Sequence, residues 1–83
     1  MDAHQMRDQL RDFVRSELLS KPDYPLADDD PLITGGLIDS FSLAQVGVFV
    51  ESAFGVYLPD TDLTVTNMDT IERMVTCIEK ARR

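Results

Sequence analysis

Between Asp2 and Leu19 the apolar residues Met6, Leu10, Phe13, Val14 and Leu18 recur at steps of three and four, with Arg7, Asp8, Arg11, Asp12 and Glu17 between them. One side of a helix with this spacing is apolar and the other charged, which predicts an amphipathic helix buried by one face. Asp2 followed by Gln5 fits a capping box at its start. Pro22 disfavours helical geometry at Lys21, so the helix ends within Ser20-Lys21-Pro22.

Residues 20 to 38 then carry Pro22, Pro25 and Pro31, the run Asp28-Asp29-Asp30 and the pair Gly35-Gly36, and no long regular element fits there. A connection of this length in a small domain is expected to be functional or pinned by burial, and Leu26, Leu32, Ile33, Leu37 and Ile38 are the residues to pin it. A short helical turn within it is compatible with the sequence.

A second helix is predicted from about Ser40 to Phe54, stopped by Gly55 as a C-terminal cap. At about 100° per residue, Leu43, Val46, Gly47, Val50, Ala53 and Phe54 fall on one side and face the core. Phe41, Ala44, Gln45, Val48 and Ser52 fall on the other, which is unusually apolar for a solvent-facing surface. After Val56-Tyr57-Leu58-Pro59-Asp60, the segment Thr61 to Asn67 mixes β-branched residues with Asp and Asn, so any helix there is short. The last helix begins near Asp69 or Thr70. Asp69 with Glu72 fits a capping pattern, Ile71, Met74, Val75 and Ile78 form the buried stripe, and Lys80, Arg82 and Arg83 complement the negative end of the dipole. The pattern predicts an all-α protein: a small bundle of three main helices plus a short helix or turn, with a long first loop and no strand.

The chain of 83 residues has room for a single domain, residues 1–83, with a compact core. Hydrophobic residues at 43% and charged residues at 28% are those of a folded globular protein. The formal charge of -7 repels phosphate backbones and anionic bilayers, which argues against nucleic acid as a partner and favours proteins with basic patches. No apolar run reaches the length of a bilayer span. Cys77 is the lone cysteine, and Met1-Asp2-Ala3-His4-Gln5 lacks the basic-then-apolar pattern of a signal peptide, so a cytoplasmic monomer is expected. Neither Asp28-Asp29-Asp30 nor Asp60 and Asp62 has the spacing of a calcium loop, and solvated loop charge is the expectation for both; no metal site is expected. Cys77, at the edge of the last helix's apolar stripe, is read as a packing residue and His4 as a surface residue.

The candidate chemistry sits in Gly35-Gly36-Leu37-Ile38-Asp39-Ser40-Phe41-Ser42-Leu43-Ala44-Gln45-Val46, where a small hydroxyl separates Asp39 from Phe41. Asp39 is suited as an N-cap with Ser40 as the first helical residue, and on that reading the pair only starts a helix. A hydroxyl on the first turn also stands among unpaired backbone N–H groups at the positive end of the dipole, where a phosphate is favoured. Ser40 is no self-activated nucleophile, because the only histidine, His4, is near the other end of the chain. If Ser40 reacts, another protein supplies the catalysis, and no nucleophile–base pair, metal cluster or phosphate cradle suggests that the chain is itself an enzyme.

From the first helix through Gly35-Gly36-Leu37-Ile38-Asp39-Ser40-Phe41-Ser42-Leu43 to Phe54-Gly55-Val56-Tyr57-Leu58-Pro59-Asp60 and the last helix, the chain resembles the acyl and peptidyl carrier proteins. The resemblance implies an acyl-carrier-like helical bundle in which Ser40 receives 4'-phosphopantetheine from coenzyme A, by the magnesium-dependent action of a separate phosphopantetheinyl transferase. The arm's thiol then holds an acyl or aminoacyl group as a thioester, loaded by an activating ligase or acyltransferase and passed to a downstream synthase or transferase. Asp39 matches the aspartate before the modified serine, with a role in shaping the helix start and meeting the transferase. Many members have leucine after that serine, and Phe41 is an apolar departure that bears on partner preference.

The family's second helix is its main docking surface, which makes Phe41, Ala44, Gln45, Val48, Glu51 and Ser52 the docking candidates here. Carriers of bacterial fatty acid synthesis resemble this chain less, being strongly acidic where residues 41 to 54 keep only Glu51. The Gly36-Leu37-Ile38-Asp39-Ser40 form is similar to freestanding carriers of amino acid activation, D-alanyl carriers among them, and to discrete carriers of polyketide and nonribosomal peptide pathways; Met1 and the short basic end are expected of a freestanding protein. A cavity for a buried acyl chain, if present, is expected among Leu43, Val46, Val50, Phe54 and Ile71, whose simpler role is core packing. The alternative from another class is a small acidic adaptor without a prosthetic group, whose second helix fills a partner's groove through Phe41, Ala44 and Val48.

Overall fold

A computed structural model describes residues 2–82, and among them every regular element is helical. Helix α1 (Ala3–Phe13) runs on as a π-helical stretch, Val14–Leu18; α2 spans Ser42–Phe54; a 3-10 turn at Asp60–Asp62 leads to the short α3 (Val65–Met68); and α4 spans Ile71–Ala81. Arg83, expected to complement the end of α4, lies outside the described residues. None of the helices is long and apolar enough to cross a membrane.

The expected capping box closes the start of α1: Gln5 N–H donates to Asp2 Oδ1 at 2.8 Å, and Asp2 N–H returns to Gln5 Oε1 at 3.4 Å. The first helix reaches its anticipated end by a route that periodicity does not foretell. Leu19 N–H bonds to the Val14 carbonyl at 2.9 Å, five residues back, which widens the last turn. Leu18 and Leu19 both pack against the core from this turn. Ser20, at a φ of 54°, takes the left-handed conformation that terminates the helix, ahead of Pro22.

At α4 the cap is Thr70, whose side chain accepts from Arg73 N–H at 3.0 Å. The expected Asp69–Glu72 pattern is therefore corrected, since Asp69 points away from its own helix and is the one buried charged residue among those described. At the other end of the α2 connection, Gly55 has φ 68° and donates to the Glu51 carbonyl at 3.0 Å, the expected left-handed cap.

Met6, Leu10 and Val14 meet Leu43, Val46 and Val50 of α2, Met68, and Ile71, Met74, Val75 and Ile78 of α4 in one core. Leu26, Leu32 and Ile38 join that core from the first loop, while Ile33 and Leu37 pack partly buried against it. Burying these side chains stabilises the loop by about 1.5–3 kcal/mol for each that leaves water completely. Phe49, which the periodicity assigns to neither side of α2, stacks on Phe13 with ring centroids 4.3 Å apart and meets Phe54 edge-on at 5.7 Å.

Charge ties the loop down as well. Arg7 is bidentate to Glu72 (2.8 and 2.6 Å), and Arg11 bonds both Asp8 and Asp28. Glu72 N–H also donates to the Asp28 carbonyl at 3.0 Å. The hydrogen bonds from Arg7 hold the Glu72 carboxyl below its usual range, with burial opposing. Asp28 thus bridges α1 and α4 and is no solvated loop charge; Asp30 accepts from Ala27 N–H at 2.8 Å in a local turn, and Asp29 is exposed. His4 is exposed, 3.5 Å from Asp8.

Candidate functional site

The site is built from the buried carboxylate of Asp69 outward. Asp69 Oδ1 accepts from Ile33 N–H at 2.8 Å and Thr34 N–H at 3.0 Å, and Oδ2 accepts from Thr34 Oγ1 at 2.7 Å. The Asp69 carbonyl accepts from Leu32 N–H at 2.6 Å. Burial pushes the Asp69 carboxyl up, but the bonds from Thr34 and Ile33 and the charge of Arg73 more than offset it, so the group stays ionised below its ordinary range.

From this anchor the loop closes on itself. The Leu32 carbonyl accepts from both Leu37 and Ile38 N–H, each at 2.9 Å. Two glycines make the turn for different reasons: a Cβ on Gly35 would come within 2.1 Å of the Pro31 carbonyl oxygen, while Gly36 sits at φ +80°. No helix forms in this stretch, only a turn across Ile33 to Gly36.

Ile38 is buried, and the next residues, Asp39 and Ser40, emerge exposed. Helix α2 begins two residues later than expected, at Ser42, so Ser40 lies in the turn leading into it and is not itself helical. The reason is local: Ser42 N–H bonds the Asp39 carbonyl at 3.1 Å and Leu43 N–H bonds the Ser40 carbonyl at 3.2 Å, both spanning three residues. Phe41 takes the N-cap position, with no side-chain cap bond, so Asp39 is not the N-cap expected of it; it orders the turn instead, its Oδ1 accepting from Ser42 N–H at 3.1 Å and Ser42 Oγ at 3.3 Å. The Ser40 hydroxyl takes part in no side-chain hydrogen bond among the described residues. It is a free hydroxyl on a backbone fixed from both sides.

Every predicted docking residue, Phe41, Ala44, Gln45, Val48, Glu51 and Ser52, is exposed, on the same side of α2 as computed from the periodicity. Phe41 is 85% exposed and Val48 71%, well beyond what a side chain sheltered by the fold shows. Tyr57, 68% exposed, adds a residue that sequence reasoning passed over. It helps line a groove of about 470 Å³ with Ala44, Val48, Leu63 and Gly47, the last of which the periodicity assigns to the core side. The strict alternation of buried Val56 and Leu58 around it is the signal that places Tyr57 outside.

Three surface hollows, one beside Asp62 and Cys77, one beside Ala44 and Tyr57 and one beside Leu18 and Gly36, are not lined by Leu43, Val46, Val50, Phe54 or Ile71. Val46, Val50 and Ile71 are fully buried in the core, as in their packing role. Cys77 is half-buried; burial and the charge of Asp62 push its thiol up, away from the reactive thiolate, and Lys80 opposes them. No family model matches the chain, and no curated protein matches its sequence.

Proposed function

We propose that the protein is a carrier whose Ser40 bears 4'-phosphopantetheine, in an acyl-carrier-like bundle. The observation that carries this reading is the exposed, unengaged Ser40 hydroxyl at the mouth of α2, flanked by Asp39 and the exposed Phe41. Those residues fit the group: the hydroxyl is open to solvent, and the start of the helix dipole favours a phosphodiester. Bound there, the arm supplies a thiol that holds acyl or aminoacyl cargo as a thioester.

Ser40 has no base of its own, since His4 stands on α1 beside Asp8. In the modification, Ser40 Oγ forms a bond to phosphorus as the pyrophosphate P–O bond of coenzyme A breaks. The adenosine bisphosphate half leaves, and the serine proton passes to a base on the transferase. Asp39 keeps its carboxylate on Ser42 and so orders the turn that presents Ser40. Phe41, Ala44 and Val48, with Gln45, Glu51 and Ser52 around them, form the face that transferase, loading ligase or acyltransferase, and downstream synthase or transferase would meet. With Glu51 the only charge within residues 41 to 54, apolar contact governs that docking, as suits a specialised, secondary-metabolite or amino-acid-activating pathway.

Incubated with coenzyme A, magnesium and a broad-specificity phosphopantetheinyl transferase, the protein should gain one phosphopantetheine by intact mass, and Ser40→Ala should abolish the gain. No gain with several transferases would sink the carrier reading. The extent to which Phe41 and Val48 are exposed would then favour the acidic adaptor, whose α2 fills a partner's groove without any prosthetic group.

A further inference from the structure

We infer that Asp69 is a positioning residue for Ser40, acting through the backbone of the first loop. The inference rests on the carrier reading. A buried ionised carboxylate is costly unless its oxygens are hydrogen-bonded. Asp69 gives none of its side-chain bonds to its own helix, because Thr70 caps α4. All three go to Ile33 and Thr34, 35 or 36 positions away in the chain.

The path from there to the serine is unbroken. Asp69 holds the amides of residues 32 to 34, the Leu32 carbonyl holds the amides of Leu37 and Ile38, and Ile38 is the last residue before Asp39 and Ser40. Little slack exists along it, because Gly35 lies against the Pro31 carbonyl and Ile38 is sunk in the core. Downstream, the Asp39 carboxylate ties the turn that holds these two residues to Ser42, the first residue of α2. Releasing the carboxylate leaves the loop before Ser40 held by the Leu32 amide and by the burial of Leu32 and Ile38 alone, and a smaller fraction of molecules then presents Ser40 in the geometry that a transferase accepts. A reduced competent fraction raises the apparent dissociation constant for the carrier and leaves the chemical step alone.

The test uses the full chain as wild type, Asp69→Ala, Asp69→Asn and Ile78→Val, the last a core change on α4 that lowers stability and leaves the Asp69 hydrogen bonds in place. In Asp69→Ala, amide exchange at Ile33, Thr34, Leu37 and Ile38 should quicken by about tenfold beyond the change in global stability. The transferase KM for the protein should rise by about tenfold while kcat stays within about twofold. Asp69→Asn keeps an acceptor for the two amides and should stay close to wild type, and Ile78→Val should alter neither reading.

Faster exchange confined to Ile33 and Thr34 with an unchanged KM, or equal effects from Asp69→Ala and Ile78→Val, would overturn the inference. Should Asp69→Ala not fold, Thr34→Val removes only the hydroxyl bond; it should show the same pattern at smaller size, and unchanged exchange at Leu37 and Ile38 would count against the relay. If wild type accepts no phosphopantetheine, the carrier reading falls by itself, and exchange at Leu37 and Ile38 still decides whether Asp69 orders the backbone before Ser40.

Discussion

Helices α2 and α4 both sink an apolar stripe into the common core, yet their outer sides differ. On α4 the exposed residues are Glu72, Arg73, Thr76, Lys80 and the terminal Ala81, and Glu72 is locked to Arg7. On α2 they are Ala44, Gln45, Val48, Glu51 and Ser52, with Phe41 just before its start, nearly free of charge. Valine and phenylalanine stand in water on this side of α2, whereas α4 shows the ordinary division of apolar inside and charged outside. Under the proposed function, the scarcity of charge on α2 in an acidic protein has partners docking there by burial of apolar area, with neighbouring acids acting on encounter.

The contrast can be broken most violently from inside. Val50→Asp puts an unpaired charge where side-chain exposure is nil, and should cost about 3–5 kcal/mol, a large part of the about 5–15 kcal/mol that holds such a domain together. Urea denaturation followed by circular dichroism checks this, and an unchanged midpoint would mean that α2 is rotated about its axis.

Acid should act next, and on the α4 side. Asp69 and Glu72 are held below their ordinary values of 3.8 and 4.5, so their contribution is complete above those values and is lost as the pH falls through the lower folded ones. The urea midpoint should therefore drop in that acid window and be flat from there to neutrality. Asp69→Asn, which has no proton to take up, should flatten the acid limb; a limb of unaltered steepness would show that other carboxylates set it. Glu72 is half exposed, so solvent screening makes its share the lesser one.

Val48→Asp should have the smallest effect on the fold, within about 0.5 kcal/mol, because the side chain is already in water. Its effect belongs to docking: transfer of phosphopantetheine to Ser40 should slow through a higher KM. A large fall in melting temperature would contradict the exposure of this face, and an unaltered KM would remove Val48 from the docking surface.

Much of this architecture was legible along the chain because it rests on short-range physics. The Asp2–Gln5 box, the Gly55 cap and the two sides of α2 follow from residues within a turn or two of one another, and so does the exposure of Ser40 beside Phe41. Boundaries were less legible. The π-helical turn at Val14–Leu18 and the delayed start of α2 depend on whether a given amide bonds three, four or five residues back, which periodicity does not resolve.

Asp69 marks the limit. In sequence it reads as a cap for the helix that follows, since Asp before Thr-Ile-Glu satisfies that pattern, and nothing near it points to Ile33 and Thr34. Asp28 is the same case, one of three successive aspartates, of which it alone meets both Arg7 and Arg11. The sequence by itself determined the helices, the buried stripes, the apolar outer side of α2 and the small hydroxyl at its mouth, since these depend on side-chain type and local spacing. Only the tertiary structure decided which carboxylate is buried, which acid holds the loop, and how the backbone before Ser40 is tied down, because those bonds join residues brought together by packing and not by proximity along the chain.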